Sequence, residues 1–425
     1  MLLSEHEGVR ACAPFGKETT MPEHEPIGMN GWDANEPRII STFLASLPTP
    51  PRLLGLGEPT HGVQDFPRWR NRLFQTLARE HGFRSIALES DVLAGLRVND
   101  FVLGGPDSLE EVMLSGFSHN FGTYEANREL IMWMREFNAR KDEADEVRFY
   151  GFDAPLENMW AASPRTSLLF LHGFLTEHLP GLPVEAATLE ELCGEDTRWT
   201  NEAAAMDATK SIGRTEEAKA LRLIADDLNT LLERETPRFQ GHPDLWLAKL
   251  HARTALGLLR YHSIMADTSP ERVARMLAQR DLMMADNLSA IAEREAKRGP
   301  TLVFAHNLHL QRNVSGMNLG PLRVEWWSAG AHIATRLGEK YAFIASTLGS
   351  GAGLPEPAPD TLEGFLSQWT STPALYPTRH RRFPDTLKRR TDTDYRYQAL
   401  RPEVLHEADG LLFIPTAQEP HEPVH

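Results

Sequence analysis

Six short stretches constrain this chain more than anything else in it. They are "RLLGLG" (52–57), "SIALES" (85–90), "VRFYGFD" (147–153), "TLVFAHN" (301–307), "YAFIAST" (341–347) and "LLFIPT" (411–416). Each is rich in β-formers or closed by glycine, and none alternates apolar with polar residues. A continuous apolar run of strand length predicts a strand buried on both faces, as in a parallel sheet covered by helices. Helical patterns lie between the runs. "PRWRNRLFQTLAREHG" (67–82) spaces Leu73, Leu77 and His81 by four and stops at Gly82; "NRELIMWMREFNARK" (127–141) puts Leu130, Trp133, Met134 and Phe137 on one stripe. A further helix is expected near 35–47. Strand and helix in alternation predict an α/β fold with a mostly parallel sheet flanked by helices.

One region breaks the rhythm. From 156 to 299 the sequence offers long amphipathic helices at 215–235, 244–266 and 270–298 and no strand candidate. The last is expected to start from a Ser269-Pro270 cap and to end at Gly299-Pro300. The expected organisation is a flexible N-terminal arm (1–30), a first part of the α/β core (31–155), a large helical insertion or lid (156–299) and a second part of the core (300–425).

Bulk properties exclude several function classes. The formal net charge of −15 argues against nucleic acid or an anionic membrane as the main partner, because both attract basic surfaces. Two cysteines, Cys12 and Cys193, cannot build a disulfide scaffold or a thiolate metal site. The first residues carry no signal-like apolar run and no stretch has bilayer-spanning length, so the expectation is a cytoplasmic protein with reduced thiols.

In open α/β sheets, ligand sites collect beyond the carboxyl ends of the strands. The polar residues placed there form a coherent set. "GLGEPTHG" (55–62) supplies Glu58 and His61, "SIALES" carries Glu89 near its end, "VRFYGFD" ends in Asp153, and "TLVFAHNLH" ends with His306, Asn307 and His309. Residues 306 and 309 would point to opposite faces of a strand but to one side of a helical turn, so a turn into a short helix is expected there. Singly, each residue has an ordinary structural alternative: a loop carboxylate, a histidine satisfying backbone groups, or, for Asp153, a cap or hydrogen-bond acceptor. Together they point to a reaction centre. The sequence lacks a G-x-S-x-G elbow and a P-loop, and "GLGEPTHG" fails the G-x-G-x-x-G spacing that a dinucleotide-binding loop needs.

With these residues in hand, "GEPTHGVQDFPRWRNRL", "YGFDAP", "AHNLH" and "GAHIATRLGEKYAFIASTLGSG" resemble the erythromycin esterase family, from about residue 30 to the closing "DGLLFIP" run. In the helical middle the likeness is confined to "RDLMMADNL" (280–288). The resemblance implies metal-independent hydrolysis of macrolide lactone esters, with a histidine as general base and no cofactor. Carried over by motif, the catalytic set is Glu58, His61, Arg70, Glu89, His306 and His309; Asp65 stands where many members have glutamate. His61 would activate water, Glu58 would orient it, and Arg70, His306 and His309 are candidates to stabilise the oxyanion. Trp69, Asn307 and Asp153 are expected at the substrate, and Trp199, Trp326 and Trp327 as further lining. The partner is a small-molecule ester. Two alternatives stay open: a metal-dependent hydrolase using the same histidines and glutamates, and an ester-exchange, lactone-forming or rearrangement enzyme of natural-product biosynthesis.

Overall fold

All six apolar runs become neighbouring strands of one sheet, and the reason is visible in their side-chain alternation. A computed structural model describes residues 31–417 apart from 35, 37, 321, 380–382 and 392–395. The expected N-terminal arm and Cys12 lie outside the described residues. The strands in chain order are β1 (Trp32–Asp33), β2 (Leu53–Glu58), β3 (Ser85–Asp91), β4 (Arg148–Asp153), β5 (Thr301–His306), β6 (Val314–Leu319), β7 (Leu322–Trp327), β8 (Tyr341–Gly351), β9 (Ala374–Pro377) and β10 (Gly410–Ala417). The main sheet has the order β1-β9-β10-β8-β2-β5-β3-β4, and the six strands from β10 to β4 are parallel.

In β5, Leu302 and Phe304 face a core shared with the helices Asp65–Glu80 and Glu125–Asn138. Val303 and Ala305 face a second core shared with Arg272–Arg294 and Ala329–Leu337. A strand with a core on either side has no wet face, so period-two alternation disappears from its sequence. Burying each large apolar side chain contributes about 1.5–3 kcal/mol, which makes β5 the wrong place for any polar substitution.

Two strand features differ from the reading of the sequence. The sheet closes at one edge with the antiparallel strands β9 and β1, which are too short to show a pattern. A separate antiparallel hairpin, β6–β7, stands after the "HNLH" turn; its outer positions are exposed, so it carries no continuous apolar run.

Between β4 and β5 the chain is helical. Arg165–His178, Glu216–Glu235 and Leu245–Met265 bury Leu171, Leu175, Leu228 and Ala248 against one another, and Arg272–Arg294 returns the chain to the sheet. Thr215 caps its helix by accepting the Ala218 N–H at 3.3 Å. The expected Ser269 cap does not form: the helix starts at Arg272 after Glu271, and the Ser269 hydroxyl turns to Asp267 instead. Among the described residues no helix is long and apolar enough to cross a membrane.

Candidate active site

β2 and β5 lie side by side in the middle of the sheet, and their register pairs Glu58 with His306 at the carboxyl ends. The chain leaves β2 toward β3 on one side and leaves β5 toward β8 on the other, so a crevice opens where those connections diverge. The local sequence explains how tightly the elements meet there. A Cβ on Gly57 would sit 2.1 Å from Asn307 Oδ1, so only glycine lets the "HNLH" turn close against β2. Gly62, at φ +88°, then turns the chain away behind His61.

His61 Nδ1–H donates to Glu58 Oε1 at 2.7 Å. Its Nε2 has no hydrogen-bond partner among the described residues and stands 3.9 Å from Glu89 Oε1, on a side chain that is 39% exposed. Burial of the ring disfavours its charge, but Glu89 and hydrogen-bonded Glu58 outweigh that and raise its pKa above 6.5. Burial raises the Glu58 carboxyl in turn.

The short helix Asn307–Leu310 forms as expected, with His306 as its N-cap. It brings the His306 ring within 5.4 Å of the His61 ring, centroid to centroid. His306 is nonetheless fully committed: Nδ1 accepts the Leu308 N–H at 3.2 Å and Nε2–H donates to the Pro59 carbonyl at 3.1 Å. Burial, reinforced by His61, holds its pKa down at about 3, so it is neutral. His309 is the opposite case. Its Nδ1 lies 3.0 Å from Asp281 and its Nε2 3.2 Å from Glu89. Although burial opposes the charge, the two carboxylates raise its pKa to about 10.

Glu89 is the hub. Besides His309 it accepts the His306 backbone N–H at 2.7 Å and Arg280 Nη2 at 3.1 Å. Burial opposes its ionisation, but His309, His61 and Arg280 hold it well below the usual carboxylate range. Arg280 also grips Asp153 (Nη2 to Oδ2, 2.6 Å), and Asp153 meets His119 Nε2 at 2.9 Å. Despite complete burial, Arg280 and His119 lower Asp153 to about 2. His119 sits between Asp153 and Glu157, which raise it to about 9 against its burial, and it adopts a left-handed backbone with Asn120 (φ 55° and 59°). Two consecutive non-glycine residues in that region store strain at the rim of the site. A cleft of about 640 Å³ opens in front of His61, Glu89, His119, Arg280, His306 and His309.

The other expected residues are brought near but not into the cleft. Arg70 is buried beneath Glu58, donating to Asn71 Oδ1 at 2.7 Å and standing over the Phe304 ring at 4.8 Å; burial lowers it to about 9. It lines a separate small void with Glu58 and Asn127, so it is not an oxyanion donor in the cleft. Asn307 is turned to β8, donating to the Ser346 carbonyl and accepting the Ser346 N–H. Asp153 is wholly buried behind Arg280 and His119. Trp69, 2% exposed, packs into the sheet core. Trp199 is buried in the insertion, Trp326 donates to Asp281 at 2.9 Å, and Trp327 is exposed. Asn307 and Asp153 are short polar side chains beside strand ends and meet neighbouring elements before they reach the cleft, whereas Arg70, Trp69 and Trp199 are enclosed by packing.

Arg280, Asp281 and His119 were missed as site residues. Asp281 shares a helix stripe with Met284, Leu288 and Ile291, all buried, so an acid there had to meet a buried donor. That misplaced charge was a readable signal. His119 had none, since its partners lie on other elements. Among the described residues no group of three or more His, Cys, Asp or Glu is arranged to hold a metal ion. Glu89, Asp153, Asp281, His119, His306 and His309 are each held by two or more protein partners, whereas Glu58 holds His61 through one oxygen.

Three solved structures share the fold of this chain. The chain resembles a Bacillus cereus protein of known structure (TM-score 0.68, 19% identity, 92% of this chain and 94% of that one). It resembles a succinoglycan biosynthesis protein to a similar degree (TM-score 0.66, 19% identity, covering 92% and 94%). A histidine-to-asparagine variant of the erythromycin esterase EreC, in its open conformation, superposes at TM-score 0.63 with 20% identity over 88% of this chain and 92% of that one. Among curated relatives, erythromycin esterase type II of Escherichia coli is 27% identical over 104 residues, and the match spans 24% of either chain. The family model described as erythromycin esterase matches residues 78–417, and this chain belongs to that family.

Proposed function

We propose that the chain hydrolyses an ester or lactone bond of a macrolide-like natural product, using water activated by His61 and neither a metal nor a covalent intermediate. The observation that carries the reading is the asymmetry of the His61 ring: Nδ1 is held by Glu58, and Nε2 faces the cleft with no protein partner among the described residues. A neutral imidazole fixed in that tautomer accepts a proton from water at Nε2 as the oxygen attacks the carbonyl. The same ring returns the proton to the departing alkoxide, so ester and water become acid and alcohol. Glu58 stabilises the imidazolium in between.

The oxyanion needs a fixed donor. Arg280 lines the cleft, with Nε and Nη2 tied to Asp153 and Glu89; its Nη1 makes no hydrogen bond among the described residues. Arg280 Nη1 therefore takes the role that the sequence offered to Arg70, His306 or His309. His309, held as a cation by Asp281, keeps Glu89 ionised, and Glu89 keeps Arg280 in place.

The test is a panel of macrolides and simpler esters incubated with the protein in H2¹⁸O. One labelled oxygen in the acid product is the expected result, with undiminished turnover after chelation. Unlabelled acid or a transferred acyl group would favour the ester-exchange reading. Loss of activity restored by one metal ion would favour the metal-dependent one.

A further inference from the structure

The chain is acidic, yet residues 379–401 carry eight lysines or arginines against three aspartates. A charge reversal that local usually has a local cause. Folding brings part of this segment to a second cavity of about 520 Å³, walled by Arg323, Arg389, Arg390 and Arg401 together with Met317 and Asn318. No aspartate or glutamate is among its described lining residues.

The four arginines are not equivalent. Arg390 is buried and donates to the Leu348, Gly349 and Pro355 carbonyls, and Arg401 donates to the Val314 carbonyl. Arg323 pairs with Glu325 at 2.7 Å. Arg389 donates only from Nε, to the Ala399 carbonyl at 3.2 Å, and its two terminal nitrogens have no hydrogen bond among the described residues. Burial and the like charges of Arg401 and Arg323 lower its pKa. Cations gathered around a cavity repel one another until an anion enters, and a guanidinium fork is shaped to hold one.

Position gives the cavity its meaning. Met317, Asn318 and Gln398 line both this cavity and the catalytic cleft, so the β6–β7 hairpin forms a shared rim between them. A ligand long enough to cross that rim reaches His61 with one end and Arg389 with the other. We infer that the second cavity is an anion-binding subsite of the cleft, and that the ester hydrolysed here carries a phosphate, sulfate or carboxylate group at the end remote from the scissile bond. The second half of this inference rests on the hydrolase reading; the first half does not. An amino-sugar cation, by contrast, finds no carboxylate among the described residues that line this subsite.

Two measurements separate the halves. Calorimetric titration with inorganic pyrophosphate at low salt should show binding to the wild-type chain and equally to His61→Asn. Arg389→Gln should weaken it by about tenfold, the size of one charge-assisted hydrogen bond, with unchanged thermal unfolding. No binding by wild type, or equal binding by Arg389→Gln, overturns the subsite. For hydrolysis, paired esters differing only in a neutral or carboxylate-terminated arm should differ in KM by a similar factor, and Arg389→Gln should erase the difference. Equal KM values for the pair in wild type overturn the substrate assignment. If no ester is cleaved while pyrophosphate still depends on Arg389, the hydrolase reading fails and the subsite stands.

Discussion

His61 and His309 occupy the two ends of one cluster, and they teach opposite lessons about the same side chain. His61 follows its partner Glu58 by three residues, has one carboxylate on Nδ1 and keeps Nε2 open on a side chain 39% exposed. His309 is 9% exposed in its side chain and is clasped by Asp281 and Glu89, which come from other elements. One ring is free to exchange a proton with solvent; the other is fixed as a cation whose work is electrostatic. Between them His306, with both nitrogens given to backbone groups, is neither. The number and placement of partners, not the residue type, sets each role.

Substitutions can break this contrast. The largest effect is expected at the open end: His61→Asn should lower kcat/KM by about 10²–10⁴-fold with unchanged circular dichroism, as removal of a general base does. A near-normal rate in that variant would reassign the base. Arg280→Met attacks the closed end, leaving Glu89 and Asp153 buried with one cation fewer. Urea unfolding at pH 7 should show a loss of about 3–5 kcal/mol. The depressed Asp153 pKa of about 2 contributes stability above the unfolded carboxylate value and loses it as pH falls through 2. The penalty should accordingly shrink below about pH 4.

Glu58→Gln sharpens the contrast from the other side. Without that carboxylate the His61 pKa falls, so the acid limb of kcat/KM should move to lower pH while the plateau rate drops by about tenfold to a hundredfold. An unmoved limb would mean that Glu58 does not act through His61. The smallest effect is expected at the joint between the ends. Gly57→Ala pushes a methyl group onto Asn307 and should cost about 1–3 kcal/mol of stability in thermal or urea unfolding, with Asn307→Ala partly relieving it. Additive losses in the double variant would show that the clash is not what makes glycine necessary.

The same contrast separates what the sequence exposed from what it hid. Strands buried on both faces announce themselves as unbroken apolar runs, so all six parallel strands were legible, and with them the edge where Glu58, Glu89, His306 and His309 gather. The Glu58–His61 pair was legible too, because its spacing is local. Asp281 on His309 and Arg280 on Glu89 are contacts between residues 28 and 191 positions apart; the apolar stripe around Asp281 shows that it needs a buried partner, but no local pattern says which one. The inward or outward turn of Trp69, Asn307 and Asp153 was hidden for a related reason. A strand end fixes where a side chain begins, while the neighbouring helix or strand decides where it points. The β6–β7 hairpin went unseen because it packs one face thinly, through Val324 and Trp326, and leaves the other in water.

The claim on which the account turns is that three imidazoles of one cluster, His61, His306 and His309, titrate in three different ranges. Proton NMR titration of the histidine ring resonances, assigned with His61→Asn, His306→Asn and His309→Asn, measures that directly and needs no substrate. The account predicts that His61 titrates above 6.5, that His306 stays neutral down to about 3 and that His309 stays charged up to about 10. A His61 ring titrating below 6.5, or His306 and His309 titrating together near the ordinary histidine value, would contradict it.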